Sequence, residues 1–274
     1  MKFLLPIFLL ITVFISCSST GKNNEESYKK AESHYQLGIS SLNRGDMLAA
    51  KREISIAISY MPETARYHND LGIAHLNDKE LDKAELCFKK AIELEKSYTD
   101  PYNNLGVLYM QQKNYTKAKE MFLHVLSDQI YAFPHYAETN LGIIARYEKN
   151  YTEAETHFKK AIKISGKYCE AFKEIGILYD EQGESEKAKN YYLKTLDECP
   201  SYVEALYRAA IKLLASKNEK QGRLYLAKCL DIDENNTQGF EIPFIKECST
   251  LAKEYGVTAT EKLEAPKKEV DGGY

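Results

Sequence analysis

The chain has 274 residues, 44% of them apolar and 28% charged, with a formal net charge of −3. Apolar material spread along the whole length excludes a disordered protein and leaves room for a buried core in one or two domains. Acidic and basic residues interleave, so there is no basic field for a nucleic-acid backbone, and seven Pro and fourteen Gly among long stretches of three- and four-residue apolar periodicity point to an almost entirely α-helical chain.

The chain opens with "MKFLLPIFLLITVFISCSST", which has one cation at Lys2, an apolar run from Phe3 to Ile15 and then small polar residues. This is the layout of a secretory signal and is too short for a comfortable bilayer span. Its end, Phe14-Ile15-Ser16-Cys17, resembles the lipobox of bacterial lipoproteins, with Phe14 where Leu is usual. The resemblance implies that residues 1–16 are removed and that Cys17 becomes an N-terminus bearing a thioether-linked diacylglyceryl group and an acylated amine. Two or more acyl chains anchor stably where one is marginal. Ser18, rather than Asp, after the cysteine implies an outer-membrane address facing the periplasm. Residues 17–30 then read as a lipid-anchored polar tether without apolar periodicity.

From residue 31 the sequence repeats. In "YNNLGVLYMQQKNYTKAKEMF", residues 102–122, Gly106 interrupts a helical apolar pattern, where Gly costs about 1 kcal/mol against Ala. Equivalent glycines stand at Gly38, Gly72, Gly142 and Gly176, so the successive spacings are 34, 34, 36 and 34 residues. A period near 34 is the mark of stacked helix pairs. Matching small residues follow at Ala50, Ala84, Ala118, Ala154 and Ala188, and larger ones at Ile54, Phe88, Phe122, Phe158 and Tyr192. The pattern matches the tetratricopeptide repeat. The small pair is expected where the two helices of a repeat cross, letting their backbones approach, with the aromatic filling the gap between repeats.

The expected fold class is therefore all-α, a superhelical solenoid of six tetratricopeptide repeats over 31–64, 65–98, 99–132, 135–168, 169–202 and 203–236. The sixth is degenerate, with Ala210 in the Gly slot and Gly222 in the Ala slot. Two extra residues around "IYAFPHY", 130–136, lengthen the period between repeats three and four, and Pro134 stops one helix from running into the next. A capping helix is expected within 237–256, with Pro243 at its first position, Gly256 just past its last, and Phe244, Ile245, Cys248, Leu251, Ala252 and Tyr255 on one stripe. Residues 257–274 read as a polar, disordered tail.

No catalytic constellation stands out: there is no phosphate loop, no Cys-x-x-Cys and no His-Glu-x-x-His. His68, His75 and Asp78 suggest a metal site, but the two histidines occupy repeat slots normally filled by packing aromatics. Glu153 and Glu155 fall on different helix faces. The expectation is a protein that is not an enzyme and takes no cofactor, no metal and no small-molecule substrate. After Cys17 the cysteines number five, Cys87, Cys169, Cys199, Cys229 and Cys248, so at least one is unpaired within the chain. Cys169 opens one helix of repeat five and Cys199 closes the other; an antiparallel hairpin brings those ends together, as a disulfide or as small buried thiols.

Binding remains. In this repeat the slots one and four after the Gly face the concave side. The first row reads Ile39, Ile73, Val107, Ile143, Ile177 and Ile211, and the second Leu42, Leu76, Met110, Arg146, Asp180 and Leu214. Repeats one to three are thus apolar along this line, flanked by the amides Asn43, Asn69, Asn77, Asn103 and Gln111, while repeats four and five turn charged. An aliphatic strip beside amides suits an extended or helical peptide; the competing reading is that the first row is half buried and only structural. The Lys, Arg and Asn arrangement that clamps a C-terminal carboxylate is absent.

A lipobox, a tether and six such repeats resemble the type IV pilus biogenesis lipoproteins known as secretin pilotins (the PilF, PilW and Tgl group). The stretches "YQLGISSLNRGDMLAAKREISIAI" and "NNLGVLYMQQKNYTKAKEMFLHVLSDQIYAFPHYAETNLGI" carry the resemblance, over about residues 28–235. It implies a non-enzymatic helper that binds secretin subunits, escorts them to the outer membrane and promotes pore assembly. The alternative is a scaffold lipoprotein of another envelope complex, for outer-membrane protein assembly or cell-wall synthesis.

Overall fold

Each repeat folds as the antiparallel helix pair its periodicity predicts. The computed structural model describes residues 16–236 and 242–259, with side chains from Asn24 onward, and among the described residues it is all-α, with thirteen helices. By contacts the chain divides between Tyr131 and Ala132 into two compact units. The first holds α1 (Ser16–Asn43) with α2 (Met47–Tyr60), α3 (Ala65–Asn77) with α4 (Leu81–Leu94), and α5 (Asp100–Gln111) with α6 (Tyr115–Ser127). The second holds α7 (Pro134–Tyr147) with α8 (Tyr151–Ile164), α9 (Cys169–Glu181) with α10 (Ser185–Glu198), α11 (Val203–Ala215) with α12 (Glu219–Glu234), and then α13 (Ile245–Glu254). Within each unit every pair packs on the next: α2 on α3 and α4 on α5, then α8 on α9, α10 on α11 and α12 on α13. No described helix is long and apolar enough to cross a membrane.

The repeated glycines sit where a second helix presses on the first. A Cβ added to Gly106 would stand 2.6 Å from the Phe122 ring; at Gly72 the obstacle is Phe88, at Gly142 Phe158, at Gly176 Tyr192 and at Gly38 Ile54. The ring therefore covers the glycine of its own repeat and, as expected, also fills the gap to the next: Phe158 packs with Ile175 and Leu178, and Tyr192 with Val203 and Leu206. The five matched alanines, Ala50 through Ala188, are fully buried. In the sixth pair the exchange of small residues holds: a Cβ on Gly222 would meet Leu214 at 2.8 Å and the Ala210 carbonyl at 3.3 Å.

Between the two helices of every pair one residue adopts the left-handed conformation, always seven places after the repeat glycine or its equivalent: Gly45, Lys79, Lys113, Lys149, Gly183 and Lys217. The next N–H then reaches back five residues to close the helix end, as in Asn114 N to Tyr109 O at 2.8 Å and Asn150 N to Ala145 O at 2.8 Å. Lysine there carries a left-handed penalty of about 1–2 kcal/mol, which the closed turn offsets. The residue that follows caps the second helix at four of the six turns, where Asp46, Asn114, Asn150 and Asn218 accept from the N–H three residues on.

Three expected boundaries move. The stretch read as a tether is helical, because α1 begins at Ser16; the exposed pairs Lys29–Glu25 and Lys30–Glu26, four residues apart, support a helix that has no apolar face there. Residues 1–15, holding most of the expected signal segment, lie outside the described residues. The cap begins at Ile245 rather than Pro243, since Phe244 takes a left-handed φ of 65° and packs its ring 5.9 Å from Tyr207. Gly256, with φ 62°, ends it as expected. Val257 is buried against Ala210, Leu226, Ala227 and Ala252, and Arg223 donates to the carbonyls of Tyr255 and Gly256, so the fold extends past the expected start of the tail; the tail from 260 on lies outside the described residues.

Two disulfides close the second unit. Cys169–Cys199 joins the start of α9 to the end of its partner helix, and Cys229–Cys248 joins α12 to α13; Cys87 is free. Denaturing alkylation without reduction should therefore label Cys87 alone among the five cysteines from Cys87 on, and reduction should expose the other four, read by mass. Removing either bridge is expected to cost about 2–4 kcal/mol.

Gly106→Ala should destabilise the fold on the order of 1–2 kcal/mol in urea melts, because overpacking against the ring outweighs the gain in helix propensity. Adding Phe122→Leu removes the obstructing ring atoms, so the double variant should lose less than the sum of the single losses.

Candidate functional site

The first helix of each pair carries the residues expected to face a partner. In the first unit α1, α3 and α5 lie side by side. Ile39, Ile73 and Val107 are half-buried there, as are Leu42, Leu76 and Met110. Ile39 packs against the cluster of Ala31, Tyr35, Ile54, Ala57 and Tyr67, so the first row shares in the core. The second row remains as a partly exposed aliphatic strip, one residue per repeat.

The amides beside it divide. Asn43, Asn77 and Gln111 are exposed, and Asn103 is half-buried with Oδ1 unpartnered. Asn69 is not available: it is 2% exposed, donates to Asp70 at 2.9 Å and accepts from Asn104 at 2.9 Å. This corrects its assignment to a peptide-facing row. It belongs instead to a ladder of side-chain bonds about one repeat apart, which also includes Tyr35 donating to Asp70 at 2.6 Å. Burial pushes both Tyr35 and Asp70 upward, although the bond from Tyr35 works against the rise at Asp70. Buried polar groups that bond one another across helices hold repeats in register at little net expense.

In the second unit two of the same slots, Arg146 and Asp180, carry charge. Ile143 and Ile177 are half-buried and pack on the cores below them, and Leu214 joins the last cluster. Arg146, expected as a groove residue, is only 8% exposed and pairs with Glu174 at 3.1 Å and with Glu181. Lys173 is equally buried and holds Glu174 at 2.6 Å, Glu170 at 2.7 Å and Glu204 at 3.5 Å. Arg208 donates to Glu204 at 2.8 Å and Lys212 pairs with Asp180, which also accepts from Tyr192 at 2.6 Å. Burial alone would depress the Lys173 ammonium, and the carboxylates of Glu174 and Glu170 more than reverse it, keeping the charge in place. Of these groups Arg146, Lys173, Glu174, Asp180, Glu181, Glu204 and Arg208 line a cleft of about 560 Å³. Sequence reading placed Arg146 and Asp180 here but missed Lys173 and Glu174. Their signal was available: the slots three and two before the glycine hold Asn69 and Asp70, Asn103 and Asn104, then Thr139 and Asn140, so only here does a cation stand next to an acid.

The histidines have separate structural uses. His75 Nδ1 meets Glu80 at 2.6 Å and His68 Nε2 meets the Pro62 carbonyl at 2.7 Å. No group of three or more metal-ligating side chains converges among the described residues. Burial pushes the Cys87 thiol up to about 11, far from a reactive thiolate.

Tetratricopeptide repeat families match residues 65–98, 87–120 and 135–198. These segments are tetratricopeptide repeats. No curated protein matches the chain by sequence. Among solved structures the chain is similar to Pseudomonas aeruginosa PilF, with a TM-score of 0.63 and 19% identity over 83% of this chain and 99% of that one. It is similar to PilW, described as a widely conserved type IV pilus biogenesis factor, with a TM-score of 0.64 and 20% identity over 76% and 96%. It is also similar to a chain of the APC/C hetero-tetramer Cut9–Hcn1, with a TM-score of 0.65 and 18% identity over 87% and 46%. The tetratricopeptide architecture is that of a protein-interaction scaffold.

Lys173→Met should cost about 3–5 kcal/mol in thermal or urea unfolding, since it removes the cation from Glu170 and leaves the buried Glu174 with Arg146 alone.

Proposed function

We propose that this chain is a lipid-anchored, non-enzymatic module of the bacterial outer membrane that binds secretin subunits of the type IV pilus and assists their assembly. The observation that carries the reading is the strip of Leu42, Leu76 and Met110 on adjacent first helices, each partly exposed among the described residues. The flanking amides Asn43, Asn77, Asn103 and Gln111 can bond a segment laid along that strip. The likeness in fold to PilF and to PilW, the latter described as a type IV pilus biogenesis factor, over nearly their full lengths supports the choice of a type IV pilus setting. Two disulfides fit an oxidising compartment such as the periplasm.

In this reading Cys17 carries the lipid and confines the module to one membrane, which raises its effective concentration toward a client there. Covering an apolar segment of the client before it oligomerises limits aggregation. No proton transfer, nucleophile or bound group is required.

Leu42→Asp or Leu76→Asp should abolish secretin co-purification while circular dichroism and the unfolding midpoint remain near wild type. A folded variant that still retrieves the secretin, or a wild-type chain that retrieves a barrel-assembly or cell-wall protein in its place, overturns the assignment. Cys17→Ala should move the chain from the membrane to the soluble fraction and remove the acyl mass.

A further inference from the structure

The ionic cleft of the second unit is not used by the function proposed above. Its inner wall is formed by Arg146, Lys173 and Glu174, each more than nine-tenths buried. A buried ionic network is weak evidence for stability, since apolar residues of similar volume often do as well or better. Its charges also do not balance. The cleft lining holds four carboxylates, Glu174, Asp180, Glu181 and Glu204, against the three cations Arg146, Lys173 and Arg208, and the pairs made from outside the lining, Glu170 with Lys173 and Lys212 with Asp180, leave that excess at one.

The unmet hydrogen-bonding groups have the same bias. Glu174 Oε2 and Asp180 Oδ1 are buried without a hydrogen bond, although each lies beside a cation, and Arg146 Nε is a buried donor without an acceptor. All three residues line the cleft. Both oxygens are in ion-pair contact, Glu174 with Arg146 and Asp180 with Lys212, yet accept no hydrogen bond; the one uncompensated negative charge calls for a cation with N–H groups to donate, and the spare Arg146 donor calls for a carbonyl.

We propose that this cleft binds a basic side chain, arginine above lysine, carried by an extended peptide segment of a partner protein. Its guanidinium meets Glu181 at the rim and Asp180 and Glu174 further in, while Arg146 Nε takes a backbone carbonyl of the same segment. Ile177 and Tyr147, which also line the cleft, receive the methylene stem. A carboxylate or phosphate would add to an existing excess of negative charge, and a purely apolar segment would cover the charges without pairing them. The inference rests on the reading of the chain as a protein-binding module, but on neither the secretin nor the strip of the first unit.

The test titrates the full chain with a capped peptide, Ser-Ile-Arg-Ile-Ser, and with the same peptide carrying neutral citrulline for arginine, in a calorimeter at low salt. The arginine peptide should bind at least tenfold more tightly than the citrulline one. Glu181→Gln should weaken it at least tenfold, and Glu181→Lys, which supplies its own cation to the cleft, should abolish it. Glu93→Gln, at an exposed carboxylate of the first unit, serves as the control and should change nothing. Equal binding of the two peptides, no binding up to millimolar peptide, or equal weakening by Glu93→Gln and Glu181→Gln overturns the proposal. The peptide comparison stands on the wild-type chain even if a variant misfolds. The Leu42→Asp assay reads the other site, so failure here with success there removes the cleft alone.

Discussion

A bare Cα on one helix, covered by a ring from the next, is the constraint on which the rest of the structure depends. At Gly72, Gly106, Gly142 and Gly176 the ring atoms stand closer to the missing Cβ than any real side chain permits. Each such crossing brings two backbones together along a line of buried alanine and sets the angle at which the pair closes. The propensity given up by a mid-helix glycine is about 1 kcal/mol, less than the dispersion and burial gained by seating an entire aromatic ring against backbone.

Once the crossing is set, the turn follows. Both helices must end and restart within a few residues, so a left-handed residue recurs at one register position and a side chain caps the helix that follows. Lysine holds that position in four repeats and glycine in two. The tertiary crossing leaves the chain no other route, which is why a residue with poor left-handed propensity is retained there.

With the backbone this uniform, what differs from repeat to repeat is the chemistry of the few slots that face inward. The first unit fills them with aliphatic side chains and neutral amides, while the second keeps Ile143, Ile177 and Leu214 and adds buried ion pairs. The apolar strip lies on α1, α3 and α5 and the ionic cleft on α7, α9 and α11, so both are built on the first helices of their repeats by exchange of side chains. The tyrosine content has a structural use of the same kind. Tyr35, Tyr109, Tyr179 and Tyr192 each donate to a carboxylate on another helix, at 2.6 to 3.0 Å, anchoring an aromatic body in the core with its polar end satisfied.

By itself the sequence determined the helix count within the repeats, their register and the pairing of small residues, because a 34-residue period of glycine, alanine and aromatic residues is compatible with few other packings. It also brought Cys169 and Cys199 together through hairpin geometry alone. Only the tertiary structure decided the rest. Asn69 reads as a free amide until the neighbouring helix places Asn104 against it. Lys173 and Glu174 read as solvated charges until three helices enclose them. The ring of Phe122 could cover its own glycine or a neighbour's, and periodicity is the same in either case. The cap and Val257 are held by the Cys229–Cys248 bridge and by packing on the last repeat, neither of which leaves a periodic trace. Periodicity reports which face of a helix turns inward; the identity of its neighbours there is a property of the assembled chain.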